Sequence, residues 1–354
     1  MKIGIVSMFG NNYGNKLQNY AAVKIFTDMG YKVDTLVFDP KKSITKTRIK
    51  RIINKLSGCR LSDRQYKSDR INNFYLFDKK YLNVHYMQLD SRRLNSYTYF
   101  AIGSDQVWNP TWLSGNRKDA YFLTFAKPEQ KVCMAPSIGL DEFPDEWSSY
   151  FKEQLMTFPY LSVREESGAK LIKKLTGRDA EVVIDPTLMI NASDWRKTAK
   201  KAEARKDGKP YILKYFLGDQ DESNIKYINS IALKNNLEIH ELLNNKDKKT
   251  YTAGPAEFID LIEHAGLICT DSFHATVFSI LFDKPFLVFD RKGKYENMGS
   301  RITGLLKMLC LEDRLPGAVT ENRVFEHNYN KAYKCLEAER KRAHNFLERS
   351  INKI

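Results

Sequence analysis

A four-residue apolar run, Leu267-Ile268-Cys269-Thr270, lies between two stretches of helical periodicity, and this juxtaposition constrains the chain more than any other feature. Upstream, Phe258, Leu261, Ile262 and Ala265 recur at helical spacing behind Gly254-Pro255, where the proline sits in the first turn and its missing N–H costs nothing. Gly266 stops that helix. Downstream, Asp271-Ser272-Phe273-His274 forms a polar turn and Ala275 to Phe282 resumes as a helix. Helix, buried strand, turn and helix together are the unit of a parallel α/β sheet. Such sheets bind ligands beyond the strand C-termini, where the unpaired N–H groups of a starting helix favour an anion. His274 therefore stands beside an expected anion site, although its position alone also fits a histidine that only caps or packs.

The same unit recurs along the chain. Lys2 to Ser7 is a strand, followed by a Gly/Asn-rich loop, a helix ending at Gly30, and a second strand from Lys32 to Phe38. That loop contains neither GxGxxG nor GxxxxGK[ST], so no dinucleotide or Walker-type nucleotide site is supported. Asn15 and Gln18, near the helix start, are placed to hydrogen-bond a hydroxyl-rich ligand or simply to cap a turn. Phe100-Ala101-Ile102 is a strand whose end crowds Ser104, Asp105, Gln106, Trp108 and Asn109. An indole beside a carboxylate and amides suits a sugar, whose C–H face stacks while its hydroxyls are bonded, and Asp105 is a candidate base; core packing is the other role open to Trp108. Leu161-Ser162-Val163 brings Arg164 to a strand end, where its planar fork matches phosphate or carboxylate, or pairs with Glu165 or Glu166.

At 354 residues the chain exceeds one comfortable core, and two α/β domains are expected: 1–190, a polar linker region over 191–209, a second Rossmann-like unit over 210–328, and a C-terminal helix over 329–354 that packs back on the first. Lys and Arg number 57 against 43 Asp and Glu, a net charge of +14 that calls for an anionic partner. No zinc finger, RNP-like motif or basic zipper is present, so nucleic acid is not expected. Five dispersed cysteines without a CxxC pair argue for reduced thiols and against a metal site. The N-terminus lacks a signal-peptide core and no apolar run approaches the roughly 20 residues of a membrane span, so a cytoplasmic location is expected. Lys41 to Arg60 carries eight basic and no acidic residues, with Ile49, Ile52, Ile53 and Leu56 on one face. Such a helix can lie on an anionic lipid surface, close over an anionic substrate, or be an ordinary surface helix.

Taken together, Gly-Ser-Asp-Gln-Val-Trp-Asn at 103–109, Ser-Val-Arg-Glu at 162–165, Asp-Pro-Thr at 185–187, the Gly254 to Ile280 block and Asn297 to Leu306 resemble the polysaccharide pyruvyl transferase family. The resemblance implies a GT-B-like protein with two Rossmann-like domains facing across a cleft. It also implies transfer of the enolpyruvyl group of phosphoenolpyruvate onto a sugar as a ketal, with release of phosphate and no cofactor or metal. By that resemblance Arg164 and His274 contact phosphoenolpyruvate, with Ser272, Phe273, Lys294, Ser300 and Arg301 completing its site. The first domain then holds the acceptor through Asn15, Gln18, Ser104, Asp105, Gln106, Trp108 and Asn109. Many relatives carry arginine where this chain has Ser272, and Arg301 or Lys294 is the expected replacement. His274 is the expected proton donor, Arg164 the neutralising cation and Asp105 the group that orients or deprotonates the hydroxyls. The acceptor in bacterial capsule and wall pathways is often a polyprenyl-diphosphate-linked sugar, which would give Lys41–Arg60 a purpose at the inner face of the cytoplasmic membrane. A nucleotide-sugar glycosyltransferase, or a non-catalytic carbohydrate or polyanion binder on the same fold, remains the alternative.

Overall fold

Strand β1 (Lys2–Val6) is the centre of the first sheet, with Ile3, Ile5 and Val6 buried among strands on both sides. In the computed structural model, which describes residues 1–38, 63–293, 300–315, 317–320 and 323–351, β1 pairs in parallel with β2 (Lys32–Val37) and β4 (Tyr99–Ile102). Strands β3 (Val84–Tyr86) and β5 (Lys131–Cys133) extend the sheet to the order β3-β2-β1-β4-β5. The chain winds outward from β1 through β2 to β3 and then returns to the other side of β1 as β4, so the carboxyl ends of β1 and β4 form a switch-point crevice. The loop before the helix Tyr13–Asp28 and the turn after β4 both open there.

A two-stranded parallel ribbon of β6 (Ser162–Val163) and β7 (Glu181–Val182) continues this half; the Arg164 N–H donates to the Pro136 carbonyl at 3.1 Å. The second half carries β8 (Tyr211–Tyr215), β9 (Glu238–Glu241), β10 (Leu267–Thr270) and β11 (Phe286–Val288), all parallel in the order β11-β10-β8-β9. Two Rossmann-like units thus face one another across a cleft, the GT-B arrangement.

The polar 191–209 stretch is packed rather than a bare tether. It forms the helix Ala192–Thr198, buries Trp195 edge-on to Phe278 at 4.8 Å, and ties Arg205 to Asp260 at 2.9 Å. The helix Asn330–Ile351 returns to the first half, where Arg340 Nε donates to the Leu188 carbonyl at 2.7 Å and the Tyr99 hydroxyl donates to that of Ile351 at 2.8 Å. Among the described residues no helix is long and apolar enough to cross a membrane. Lys41 to Arg60 lies outside the described residues.

Tyr13 joins the two halves at the base of the cleft. Its ring stacks on Phe258 at 4.6 Å, its hydroxyl donates to the Ala253 carbonyl at 2.8 Å, and the hydroxyl oxygen accepts from the buried Arg70. Arg70 also donates to the Tyr251 carbonyl at 3.1 Å, and Asn73 to that of Thr252 at 2.8 Å. Tyr13→Phe keeps the stacked ring but removes the bridging hydroxyl, so chemical unfolding should show a loss of about 1–2 kcal/mol; an unchanged midpoint would mean the bridge contributes nothing.

Candidate active site

Two strand ends from the first half and two helix starts from the second meet in the cleft. Arg164 follows β6 and is 5 % exposed. Its Nη1 donates to Asp185 Oδ2 at 2.6 Å, and its guanidinium lies 4.3 Å from the centre of the Phe273 ring. Asp185 caps the short helix Pro186–Met189: its Oδ1 accepts from the N–H and hydroxyl of Thr187 at 3.0 and 2.6 Å, while Oδ2 also accepts from Ser104 Oγ at 2.8 Å. Burial works against a charged Asp185, but Arg164, His274 and the Thr187 bonds override it and hold the carboxyl well below the usual carboxylate range. Burial likewise opposes the Arg164 charge, and Asp185, Asp105 and Glu165 reverse that effect, raising it above its ordinary value.

From the second half, Ser272 caps the helix Phe273–Leu281 and His274 is its second residue. The imidazole Nε2 stands 3.9 Å from Asp185 Oδ1. Burial pulls His274 below the ordinary histidine value; Asp185 and Asp105 push back, while Arg164 and Arg301 add to the lowering. Arg301, at the start of the helix Ser300–Met308, places Nη1 3.9 Å from Asp105 Oδ1. Burial, then the like charge of Arg164, brings Arg301 down to about 10. Asp105 sits at a φ of 66°, accepts from Asn15 Nδ2 at 2.5 Å, and lies 3.7 Å from Arg164 Nη2. A non-glycine residue held in the left-handed region beside a charged cluster fits a functional constraint.

This network leaves donors over. Nε and Nη2 of Arg164, Nε of Arg301 and Nε2 of His274 are buried without a hydrogen-bond partner among the described residues. Leaving such groups unmet costs about 1–3 kcal/mol each, so an anion entering the cleft meets prepaid cationic donors. Arg164 lines a small cavity of about 40 Å3 with Asp185, Phe273 and Arg301, while beside His274 and Arg301 opens one of about 300 Å3 lined by Asn15, Asp105, Trp112 and Ser272, among others.

Of the residues expected at the site, Asn15, Asp105, Gln106, Ser272, Phe273, His274 and Arg301 line this cavity, and Arg164 lies directly behind Phe273. Ser104 and Gln18 stand one layer back: the Ser104 N–H donates to Gln18 Oε1 at 3.0 Å, and Gln18 Nε2 to Ser7 Oγ at 2.7 Å. Asn109 is fully buried and accepts from the Thr111 N–H. Trp108 is not a sugar platform. It is fully buried, stacked on Phe122 at 5.8 Å, with its indole N–H donating to the Tyr121 carbonyl. Trp112, four residues on, lines the cavity in its place. Ser300 opens its helix, its side chain outside the described residues, as is Lys294.

Sequence reasoning missed the part played by Asp185, and missed Arg291, which donates to the Asp271 carbonyl at 2.8 Å and lines the cavity. The signals were local: an Asp-Pro-Thr cap, and an arginine just past β11 in the way that Arg164 lies just past β6.

The sequence model of the polysaccharide pyruvyl transferase family matches residues 12–293, a span that runs from the cap of the Tyr13 helix to the loop carrying Arg291. The chain belongs to the polysaccharide pyruvyl transferase family. Membership makes it a transferase of polysaccharide biosynthesis. No curated protein matches it in sequence. Several solved structures are similar over most of their length. An uncharacterised protein from Klebsiella pneumoniae is 11% identical, with 86% of this chain and 88% of that one covered and a TM-score of 0.46. A UDP-GlcNAc 2-epimerase from Neisseria meningitidis is 9% identical over 96% and 100% of the two chains, with a TM-score of 0.45. A variant of the wall teichoic acid polymerase TagF is 11% identical over 98% and 90%, with a TM-score of 0.44.

One glycine sets where the transferase holds its histidine. A Cβ on Gly14 would lie 2.2 Å from His274 Nδ1, so the imidazole packs on bare backbone at the start of the Tyr13–Asp28 helix. Alanine there gains about 0.5–1 kcal/mol of helix preference. Gly14→Ala should therefore unfold close to wild type while displacing the His274 ring, visible as shifted imidazole resonances by NMR; unmoved resonances would contradict the packing.

Proposed function

We propose that this transferase moves the enolpyruvyl group of phosphoenolpyruvate onto two hydroxyls of a sugar, forming a cyclic ketal and releasing phosphate. The reading rests above all on the unpaired buried donors of Arg164, Arg301 and His274 beside the Asp105 and Asp185 carboxylates. Phosphoenolpyruvate carries a phosphate and a carboxylate, and two guanidinium groups match that pair.

The chemistry divides among these residues. His274, uncharged in the ligand-free cleft because burial lowers it, takes up a proton when the donor's negative charge arrives beside it. It then delivers that proton to the methylene carbon, and the neighbouring carbon becomes cation-like. A sugar hydroxyl bonds there with Asp105 orienting it and receiving its proton, the bond to the phosphate oxygen breaks, and the second hydroxyl closes the ketal. The His274 proton ends on the new methyl group, the second hydroxyl's proton on phosphate, and Asp105 releases the first hydroxyl's proton to water in place of the one His274 took up, so the step balances without an oxidant. Arg164 and Arg301 neutralise the departing phosphate. The acceptor we favour is a hexose of a capsule or surface polysaccharide precursor, carried on polyprenyl diphosphate at the inner membrane face, with Lys41 to Arg60 against the anionic lipid.

Incubation with phosphoenolpyruvate and free, aryl or lipid-linked glycosides should give a pyruvyl adduct by mass spectrometry and one phosphate per adduct. His274→Gln should lower kcat by about 10²–10⁴, and Arg301→Gln should raise KM for phosphoenolpyruvate. Near wild-type turnover by His274→Gln would overturn the acid role. Turnover of a nucleotide sugar, with phosphoenolpyruvate inert, would establish glycosyl transfer instead; binding with no turnover of either donor would leave a carbohydrate binder.

A further inference from the structure

We propose that the acceptor is at least two rings long and that its second sugar ring lies in a separate subsite at the carboxyl edge of β1 and β2. The inference rests on the reading of the main cleft as the place of pyruvyl transfer. At about 300 Å3 the main cavity is at the small end of ligand sites, with room for the donor and roughly one hexose ring. A second cavity of about 260 Å3 adjoins it, and Met8, Asn15 and Trp112 wall both.

The two cavities differ in chemistry. The main one gathers Asp105, His274, Arg291 and Arg301. The second is lined by Phe9, Phe38, Trp112 and Tyr121, with Arg117 as the one charged residue among its described lining residues. Aromatic walls with a few polar groups suit a neutral sugar ring, whose C–H face stacks while its hydroxyls are bonded, and do not suit a second anion. The walls are preformed: the Lys16 ammonium lies 3.3 Å from the centre of the Phe9 ring, and Phe38 packs on Phe125 at 5.0 Å. Asn15 links the compartments, because its amide donates to Asp105 Oδ2 on one side while its side chain walls the other. A ring seated in the second cavity therefore continues, past Asn15 and Trp112, to a ring whose hydroxyls meet Asp105.

The test compares one-ring and two-ring probes in wild type and in Ala120→Leu. Ala120 is buried and lines only the second cavity, so leucine there fills the subsite without touching the main one. Methyl hexosides, 4-nitrophenyl hexosides and disaccharides are assayed two ways: binding without donor by tryptophan fluorescence, and pyruvyl transfer by mass spectrometry. Wild type should prefer two-ring over one-ring probes by about tenfold. Ala120→Leu should bring that ratio close to one while one-ring probes keep their affinity and turnover. Arg117→Ala, on the rim of the same cavity, should also reduce the ratio and guards against a misfolded Ala120 variant. Equal handling of both probe classes by wild type, or a ratio unchanged in both variants, overturns the subsite even if pyruvyl transfer is seen. A two-ring preference in binding that is lost in the variants, with no transfer to any probe, upholds the subsite and removes the donor reading instead.

Discussion

The ion pair between Arg164 and Asp185, 2.6 Å long with both groups buried, is the interaction on which the cleft depends. Two charges taken out of water are stable only when further bonds satisfy them, and removing one partner of such a pair costs about 3–5 kcal/mol. Asp185 is fully provided for by Ser104, Thr187 and Arg164. Arg164 is not: one arm is committed to Asp185, while Nε and Nη2 have no bond. The pair thus fixes the guanidinium in place and leaves three of its five N–H donors, those on Nε and Nη2, for a ligand.

The same carboxylate couples the halves. Asp185 belongs to the first and lies 3.9 Å from His274 of the second, while Arg301 of the second lies 3.9 Å from Asp105 of the first. The attraction between Arg301 and Asp105 links the halves in the cleft, with the imidazole of His274 beside Asp185, and the Tyr13, Arg70 and Asn73 contacts to the 251–253 segment join them at the base. Gly14 sits between these two features, one residue past Tyr13 and directly under the imidazole. Docking of the halves and placement of the acid are therefore one structural event.

Much of this was legible in the sequence, for physical reasons that also mark where it stopped. Buried parallel strands need unbroken apolar runs and their ligands sit at the carboxyl ends, so Arg164, Asp105 and His274 could each be placed at the carboxyl end of a strand before their partners were known. Deciding between a sugar platform and core packing for Trp108 needed the approach of Tyr121 and Phe122 from another element, which nothing near position 108 announces. The Arg164 partner at hydrogen-bond distance proved to be Asp185, 21 residues away in the chain, because β6 and β7 pair in parallel, while the adjacent Glu165 stands 4.0 Å off. The polarity of 191–209 suggested a tether, yet a segment that buries only Trp195, Ala202 and a few other side chains reads as polar throughout. At Ser272, where the resemblance implies arginine, this chain caps a helix, and Arg291 and Arg301 line the cavity beside it.

The most direct test is calorimetric. Phosphoenolpyruvate binding is titrated near pH 7.5 in buffers of different ionisation enthalpy, which reads the protons exchanged on binding. His274 lies below its ordinary value in the ligand-free cleft and should be raised by the incoming negative charge, so wild type should take up close to one proton per ligand. His274→Gln should bind with uptake near zero. Binding to wild type with no proton uptake, or undiminished uptake by His274→Gln, would contradict the assignment of His274 as the acid in a cleft built for an anion.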